Sequence, residues 1–509
     1  MIKFEIKVKM PFLWGKAVFK KEHWNQINLI VGPNGSGKTL LAEEIAHQFE
    51  EKGYTVEFLQ SDRSNQEELL SKIKEDSDLR EKIESVISNM FGKTIRFEEN
   101  ADGSVIPMVE NKARGVEYNL KEGECHGLKE ILTLLVALYG LKSSVLILDE
   151  PELHLHPQFQ LFFMNEIRKV SVSEPDRIFF LITHSPYFID LHFAEDLLGV
   201  VVCHVNNVPT CVDRLSEKDE ILLRRFLPRF NTYHKQFFFS DNQIFVEGYT
   251  DQQMFTNLLC CVEDHYGTAG TGVIDVGGKD ELGVFFIVCS LLGTDGRIIT
   301  DLDSLFCGKL RDVVCEDERA VSWLEKQYER QLPFYRMLFT KREMESPVTL
   351  EKLIYRLESY LVNIGKFVCE VDFCISPEVD MFVEKVKALY DKYEKPESLD
   401  TFKAVVLMGV LKLKSELKDI LPLPLASSVS LIINATWLIL AAIETARVYI
   451  LPMGCIEHYY IHSDVNYMPI SGKDRLFHTE FEAMVNENPK ILKKNYSELV
   501  DILTRACAK

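Results

Sequence analysis

Two sets of residues in this chain have the types and spacing to do chemistry. The first is Gly32-Pro33-Asn34-Gly35-Ser36-Gly37-Lys38-Thr39, a complete GxxxxGK[ST] run. Glycines let backbone N–H groups turn toward phosphate oxygens, a following helix adds its positive N-terminal field, and the lysine neutralises the β and γ oxygens. Asn34, Gly35, Ser36, Gly37 and Lys38 are therefore expected to cradle ATP, with the Thr39 hydroxyl on Mg2+. Further along, Asp149 would hold that Mg2+ through water, and Glu150 beside it would act as general base on the attacking water. His184 stands where it can reach a γ-phosphate. The second set is Glu247 and Asp251, then Asp301 and Asp303. Carboxylates are hard oxygen ligands, and four from neighbouring strand ends suit one or two Mg2+ or Mn2+ ions. Ions held astride a phosphodiester orient the nucleophile and stabilise the leaving oxygen. A lone DxD is most often a solvated strand end. The order E-x-x-x-D, Gly-Gly, D-x-D, each after an apolar run, is a stronger signal.

Each of these residues needs an element to hold it. Ile27 to Val31 (INLIV) feeds the glycine loop, and LLAEEIAHQFEEK continues it as a helix. Val145 to Leu148 ends in Asp149-Glu150-Pro151-Glu152, and Ile178 to Thr183 ends in His184-Ser185-Pro186. Short charge-free runs of this kind fit strands buried on both faces of a parallel sheet. Gln243 to Val246 puts Glu247 at a strand tip, Gly248 permits the turn, and Asp251 falls in the next helix's first turn. Val273 to Val276 leads to Gly277-Gly278-Lys279, and Arg297 to Thr300 leads to Asp301. The chain runs on through Asp301-Leu302-Asp303, and residues i and i+2 on a strand share one face, so both aspartates project together.

The 509 residues are 46% hydrophobic and 27% charged, a globular composition long enough for several domains. Lys plus Arg number 58 against 77 Asp plus Glu, a net charge of −19, which excludes a generally basic coat for nucleic acid but not a local basic channel. Twelve scattered cysteines read as reduced thiols in the cytoplasm. Cys369 and Cys374 lack the second pair of a zinc site and read as core residues. Met1 to Met10 reads as a strand, not a secretory leader. Ile420 to Ile443 carries no charge and is long enough to span a bilayer. Pro422, Pro424, Ser427, Ser428, Ser430, Asn434 and Thr436 interrupt it, so a loop feeding one buried helix is expected, with no membrane partner. With no transmembrane domain to drive, transport is excluded. EELLSKIKEDSDLREKIESVISNM has helical spacing but is too short for a long coiled-coil arm.

The LDEP strand end followed by a strand-terminal TH resembles the ABC-type ATPase head. That resemblance implies two heads sandwiching ATP, as a homodimer or higher oligomer, with an LSGGQ-like loop of one closing the site of the other. Leu120-Lys121-Glu122-Gly123-Glu124 stands at that loop, with Gly123 matching and Lys121 in the family's serine position. Gln60, ending TVEFLQ, is either the family's Q-loop glutamine or an exposed turn residue. The carboxylate order resembles the TOPRIM fold. The pairing, with the phrase QFFFSDNQIFVEGYTD, is similar to the OLD (overcoming lysogenization defect) family of ATP-dependent endonucleases. The expected class is α/β: an ABC-type P-loop ATPase head at 1–215 with a helical insertion at 60–118, a linker at 216–241, a Rossmann-like TOPRIM core at 242–305, a helical insertion at 306–445 and a C-terminal part at 446–509. The family implies ATP-regulated, Mg2+-dependent cleavage of nucleic acid, DNA before RNA, often in bacterial defence against phage. A co-encoded partner, such as a helicase or a reverse transcriptase with its nucleic acid, is compatible with it. Glu247, Asp251, Asp301 and Asp303 become the metal-site carboxylates by that carry-over. Glu457, after the strand-like RVYIL, is a fifth carboxylate or a charge complementing a helix N-terminus, and Lys473 a phosphate contact. Two alternatives stay open: an ATPase sensor whose TOPRIM domain binds without cutting, and a repair or replication ATPase. Strand passage needs a nucleophilic-tyrosine module, and Tyr459 and Tyr460 lie in none that is recognisable.

Overall fold

The computed structural model describes residues 2–63, 72–73, 75–91, 94–99, 105–111, 115–119, 126–205, 207–239, 242–262, 271–294, 296–306, 308–370 and 376–508. They divide into two compact units, Met1–Asp241 with Leu291–Gly293, and Asn242–Ser290 with Thr294–Lys509.

In the first unit β1 (Ile2–Val8) and β2 (Phe19–Trp24) form an antiparallel ribbon. There follow β3 (Ile27–Val31), β4 (Val56–Leu59), β5 (Thr94–Glu99), β6 (Val105–Asn111), β7 (Val116–Asn119), β8 (Val145–Asp149), β9 (Ile178–Ile182), β10 (Val200–His204) and β11 (Asn207–Cys211). The main sheet has the order β11-β10-β3-β9-β8-β4, parallel throughout except for β11 on its edge. β8, β9 and β10 are buried along their whole length, which is why their sequences carry almost no charge. Helix Lys38–Glu51 lays Leu41, Ala42, Ile45, Ala46 and Phe49 on the sheet, a stripe of helical period. β9 lies between β3 and β8, so the glycine loop, His184 and Asp149 emerge from three adjacent strands at their C-terminal ends. In open parallel sheets, ligands bind along that edge.

The 60–118 segment is not purely helical. Helix Ser77–Phe91 is followed by an antiparallel sheet of order β5-β6-β7. After Phe91 the period changes from helical to alternating, with Ile95 and Phe97 buried between exposed Arg96 and Glu98. The expected linker at 216–241 falls within the first unit. Ser216 caps helix Glu217–Phe226 with Asp219 completing a capping box, and Leu223, Phe226, Leu227, Phe230, Phe237 and Phe238 are buried. Arg224 in this helix pairs with Glu195 and Glu220 at 3.8 and 3.6 Å.

The second unit is built on a parallel sheet of order β13-β12-β14-β15, from β12 (Asn242–Val246), β13 (Thr271–Asp275), β14 (Gly296–Thr300) and β15 (Val448–Ile450). Helices occupy most of the chain between β14 and β15. One of them, Leu423–Thr445, is long and apolar enough to cross a membrane. Its Val429, Ile432, Ala435, Ile439 and Ala442 side is buried within this unit, while Leu423 and Trp437 are exposed. C-terminal helices Lys473–Val485, Pro489–Asn495 and Ser497–Cys507 close the core over helix Tyr249–Leu258. Among the described residues every cysteine is a free thiol. Cys369 is only half-buried, not a full core residue, and Cys374 lies outside the described residues.

Candidate nucleotide and metal sites

The glycine loop is fixed by backbone that other residues resist. Gly32 has φ +142°, and a Cβ there would sit 2.2 Å from the Cys203 carbonyl oxygen. Gly37 (φ +81°) caps helix Lys38–Glu51 in the left-handed region. Asn34 and Gly35 are exposed at the crown, and Ser36 donates to the Pro33 carbonyl at 2.8 Å. Lys38 folds back, its Nζ donating to the Gly32 and Pro33 carbonyls at 3.2 and 3.0 Å. Burial pulls its pKa down, against the opposing charges of Glu150 and Asp149. Thr39 Oγ1 donates to Asp149 Oδ2 at 3.1 Å, so the two expected Mg2+ ligands already meet. Asp149 Oδ1 is buried without a hydrogen-bond partner, and burial raises that carboxyl's pKa. A hydroxyl beside a buried carboxylate with an unmet oxygen fits a hard divalent cation such as Mg2+.

Glu150 takes a left-handed backbone (φ +46°) at the tip of β8, and its Oε1 lies 3.8 Å from His184 Nε2. Burial, then the Lys38 charge, lowers the His184 pKa and favours the neutral ring. Two residues unforeseen in the sequence hold this edge together. Glu152 accepts from Thr183 Oγ1 at 2.8 Å and from the His184 N–H at 2.6 Å. Arg63 reaches the backbone of Asp149 and Glu150 from beyond β4. The Gln60 side chain is exposed; its carbonyl accepts from Arg63. Gly123 and the rest of Leu120–Glu124 lie outside the described residues.

In the second unit, Glu247, Asp301 and Asp303 each offer a carboxylate oxygen, all within 4.8 Å of one another. β12 and β14 are parallel neighbours, so their tips stand side by side. β14 stops at Thr300, and Asp303 lies in the 3-10 turn Leu302–Phe306. The turn, not strand alternation, gathers the two aspartates. Glu247 Oε1 is held by Thr300 Oγ1 (2.6 Å), Ser304 Oγ (2.9 Å) and the Asp301 N–H (3.2 Å). Gly277 (φ +78°) and Gly278 (φ +138°) turn the chain so that Lys279 opens its helix and donates to Asp303 Oδ2 at 2.9 Å. Asp303 Oδ1 is buried without a partner. Lys279 and the hydroxyls of Thr300 and Ser304 go unannounced in the sequence, although the Gly-Gly turn points at the first.

Asp251 is not part of the triad. Burial, then the charges of Glu247 and Glu457, push its pKa to about 7. Asp301 is raised well above its ordinary value by burial, Glu247 and Asp251. Glu457, in the 3-10 turn Ile456–Tyr459 beyond β15, is 1% exposed and 2.9 Å from Lys473 Nζ. Burial would raise its pKa, but Lys473 outweighs that and holds it below the ordinary value. Glu457 is therefore a buried, ion-paired group in the first turn of that short helix. Crowded carboxylates that resist ionisation, with an unmet oxygen among them, fit one or more hard cations.

That crowding sets a pH dependence. A folded-state pKa raised from 3.8 to about 7 gives stability that is fully present below 3.8 and lost as pH rises through about 7. The metal-free chain should lose this contribution progressively between about pH 4 and pH 7, Asp251→Asn should lessen the loss, and Mg2+ should stabilise more at the upper end of that range. Thermal melts with and without Mg2+ check it; equal Mg2+ responses at both ends of that range would overturn the cation assignment.

Comparison with known proteins agrees with this geometry. Residues 51–190 match the family described as "AAA domain, putative AbiEii toxin, Type IV TA system", and residues 238–303 match "Overcoming lysogenization defect protein-like, TOPRIM domain". The chain joins an AAA ATPase domain to an OLD-like TOPRIM domain. It is a distant homologue of a protein named OLD nuclease from Thermus scotoductus, 29% identical over 168 residues that make up 32% of each chain. The match thus spans about a third of that relative. An uncharacterised protein of Methanocaldococcus jannaschii is 38% identical over 64 residues, 13% of this chain and 8% of that one. Among solved structures, the SMC head domain from Thermotoga maritima aligns with 42% of this chain and 100% of its own, at 14% identity and a TM-score of 0.30.

Proposed function

We propose that the chain is an ATP-regulated, Mg2+- or Mn2+-dependent nuclease that hydrolyses nucleic-acid phosphodiesters at the Glu247, Asp301 and Asp303 site. The observation that carries this is the triad itself, three carboxylates within 4.8 Å, at two adjacent strand tips and the turn that follows one of them, in an OLD-like TOPRIM domain. Bound divalent ions would polarise the phosphate and lower the pKa of an attacking water. The chain's own residues prepare the site. Thr300 and Ser304 fix one oxygen of Glu247, Lys279 orients Asp303, and Lys473 sets its ammonium beside Glu457 where it can meet a phosphate oxygen. In the first unit, Lys38 binds the β and γ phosphates, Thr39 and Asp149 hold Mg2+, and Glu150 takes the proton of the hydrolytic water. The heads pair as a dimer around ATP, and the assembly acts in the cytoplasm in defence against phage.

Purified protein incubated with duplex DNA, single-stranded DNA and transfer RNA should cut at least one of them with Mg2+ or Mn2+, DNA foremost, and none with EDTA. No cutting of any substrate would favour a domain that binds without cleaving.

Control by ATP is part of the proposal. A permanently open nuclease endangers its host, and cellular ATP is abundant, so ATP is expected to restrain cutting until it is depleted or displaced. Allosteric couplings amount to roughly 1–3 kcal/mol, about five- to 150-fold. Over an ATP titration, wild-type cleavage should fall by at least the lower figure while Lys38→Ala stays insensitive. Equal rates for both proteins at every ATP level would dismiss coupling.

A further inference from the structure

Arg63 lies within the first unit, is 8% exposed and takes a left-handed backbone at φ +50°. Its guanidinium is shared among three segments. Nη1 donates to the Gln60 carbonyl at 2.5 Å, just past β4, and to the Asp149 carbonyl at 2.9 Å. Nη2 donates to the Glu150 carbonyl at 3.1 Å, and Nε to Glu130 Oε1 at 2.5 Å. Glu130 is buried as well and belongs to helix His126–Gly140. In sequence that helix directly follows Leu120–Glu124, and Gln60 precedes Arg63 by three residues.

The chemistry of the fork explains why an arginine stands here. The Asp149 and Glu150 carbonyls lie beyond Leu59 and Leu148, where the β4–β8 ladder ends. A planar group with five N–H donors reaches both while gripping a carboxylate. An ammonium cannot span that set. Glu150 needs the help, because a non-glycine residue at φ +46° occupies a sparsely populated region and persists only where its surroundings hold it. The Glu150 side chain is the proposed base, and its peptide is what Arg63 clamps.

We propose that Arg63 is a positioning residue for ATP hydrolysis and that its ion pair with Glu130 ties the orientation of Glu150 to helix His126–Gly140. A displacement of that helix would pull Glu130, and through Arg63 the Asp149-Glu150 peptide, without any group of the pair touching nucleotide. Nucleotide affinity and hydrolysis rate are then separately controlled: the loop around Lys38 sets the first, and the Arg63–Glu130 pair sets the second. This rests on ATP hydrolysis at the Lys38 and Glu150 site, and the test separates the two.

The experiment uses the full chain as wild type, Arg63→Lys and Glu130→Gln, with Kd for a fluorescent ATP analogue in Mg2+, steady-state hydrolysis and thermal melts. Both variants should bind the analogue within about twofold of wild type. Misplacing a catalytic group by about 1 Å costs about a hundredfold in rate, so kcat should fall by about that factor at near-constant KM. Arg63→Lys with wild-type kcat overturns the proposal. So does a parallel loss of binding, kcat and melting temperature in both variants, which marks a structural pair only. If Arg63→Lys does not fold, Glu130→Gln, which keeps a hydrogen-bond acceptor, decides alone by the same split. Wild type that hydrolyses no ATP defeats the underlying ATPase assignment instead.

Discussion

Asp301→Asn is expected to abolish nucleic-acid cleavage while leaving ATP hydrolysis at the wild-type rate. The substitution keeps the shape of the side chain and removes one charge from the Glu247, Asp301 and Asp303 triad. Loss of a residue that merely supports a metal ligand costs about 10- to 100-fold in affinity or activity, so loss of a ligand should exceed about a hundredfold. Misfolding will not mimic the effect. Asp301 is raised far above its ordinary pKa by burial, Glu247 and Asp251, so its charge is a burden on the metal-free fold. The Asp301→Asn protein should keep the metal-free melting temperature of wild type or exceed it, and Mg2+ should raise that temperature less. Glu247→Ala should give the same loss of cleavage, and it leaves the hydroxyls of Thr300 and Ser304, which its Oε1 accepts from, bonded to each other at 2.7 Å. Gel assays of cut product with Mg2+ or Mn2+, beside phosphate release from ATP, read both activities. Cleavage by Asp301→Asn at the wild-type rate would refute the assignment of the site.

Much of this architecture is legible in the residues because the chemistry demands local patterns. A glycine loop needs a strand before it and a helix after it, and INLIV, GPNGSGKT and the helix from Lys38 are contiguous. Asp149 and His184 sit at strand ends because buried parallel strands expose only their tips, and charge-free runs announce such strands. Strand period would carry Asp303 to the face of Asp301, yet a 3-10 turn after Thr300 brings it there. A small difference in where a strand stops is invisible to alternation. Residues that act across the fold are illegible. Arg63 lies in a polar stretch with no period, and only the closure of the sheet brings it to the Glu150 carbonyl. Lys279, Thr300 and Ser304 likewise owe their roles to neighbours brought together by the order β13-β12-β14. The small sheet β5-β6-β7 is hidden by the strong helical period just before it, which ends at Phe91.

The second large effect is expected at the ATP site, where two substitutions should separate binding from hydrolysis. Lys38 is buried in the loop, and its Nζ already rests on the Gly32 and Pro33 carbonyls, so it needs only a small movement to meet phosphate oxygens. Lys38→Ala removes the cation facing the β and γ phosphates and should raise the Kd for ATP by at least about a hundredfold, about 2.7 kcal/mol. Glu150→Gln keeps the size of the side chain and loses its basicity. General-base catalysis contributes roughly 10²- to 10⁴-fold, so hydrolysis should fall by about that much with Kd nearly unchanged. Bound ATP then persists, and if two heads close around it, the Glu150→Gln protein should become a stable dimer in ATP and Mg2+ while Lys38→Ala stays at its nucleotide-free mass. Light scattering on the three proteins reads this directly. The Glu150 and His184 side chains lie only 3.8 Å apart, so the histidine is a neighbour placed to substitute as base. Its lowered pKa makes the neutral ring available near neutral pH, but also makes it a weak base. His184→Ala in the Glu150→Gln background should therefore lower hydrolysis further by less than about tenfold, below the usual general-base contribution. A wild-type hydrolysis rate in Glu150→Gln, with the same mass as wild type in ATP, would remove Glu150 from the reaction.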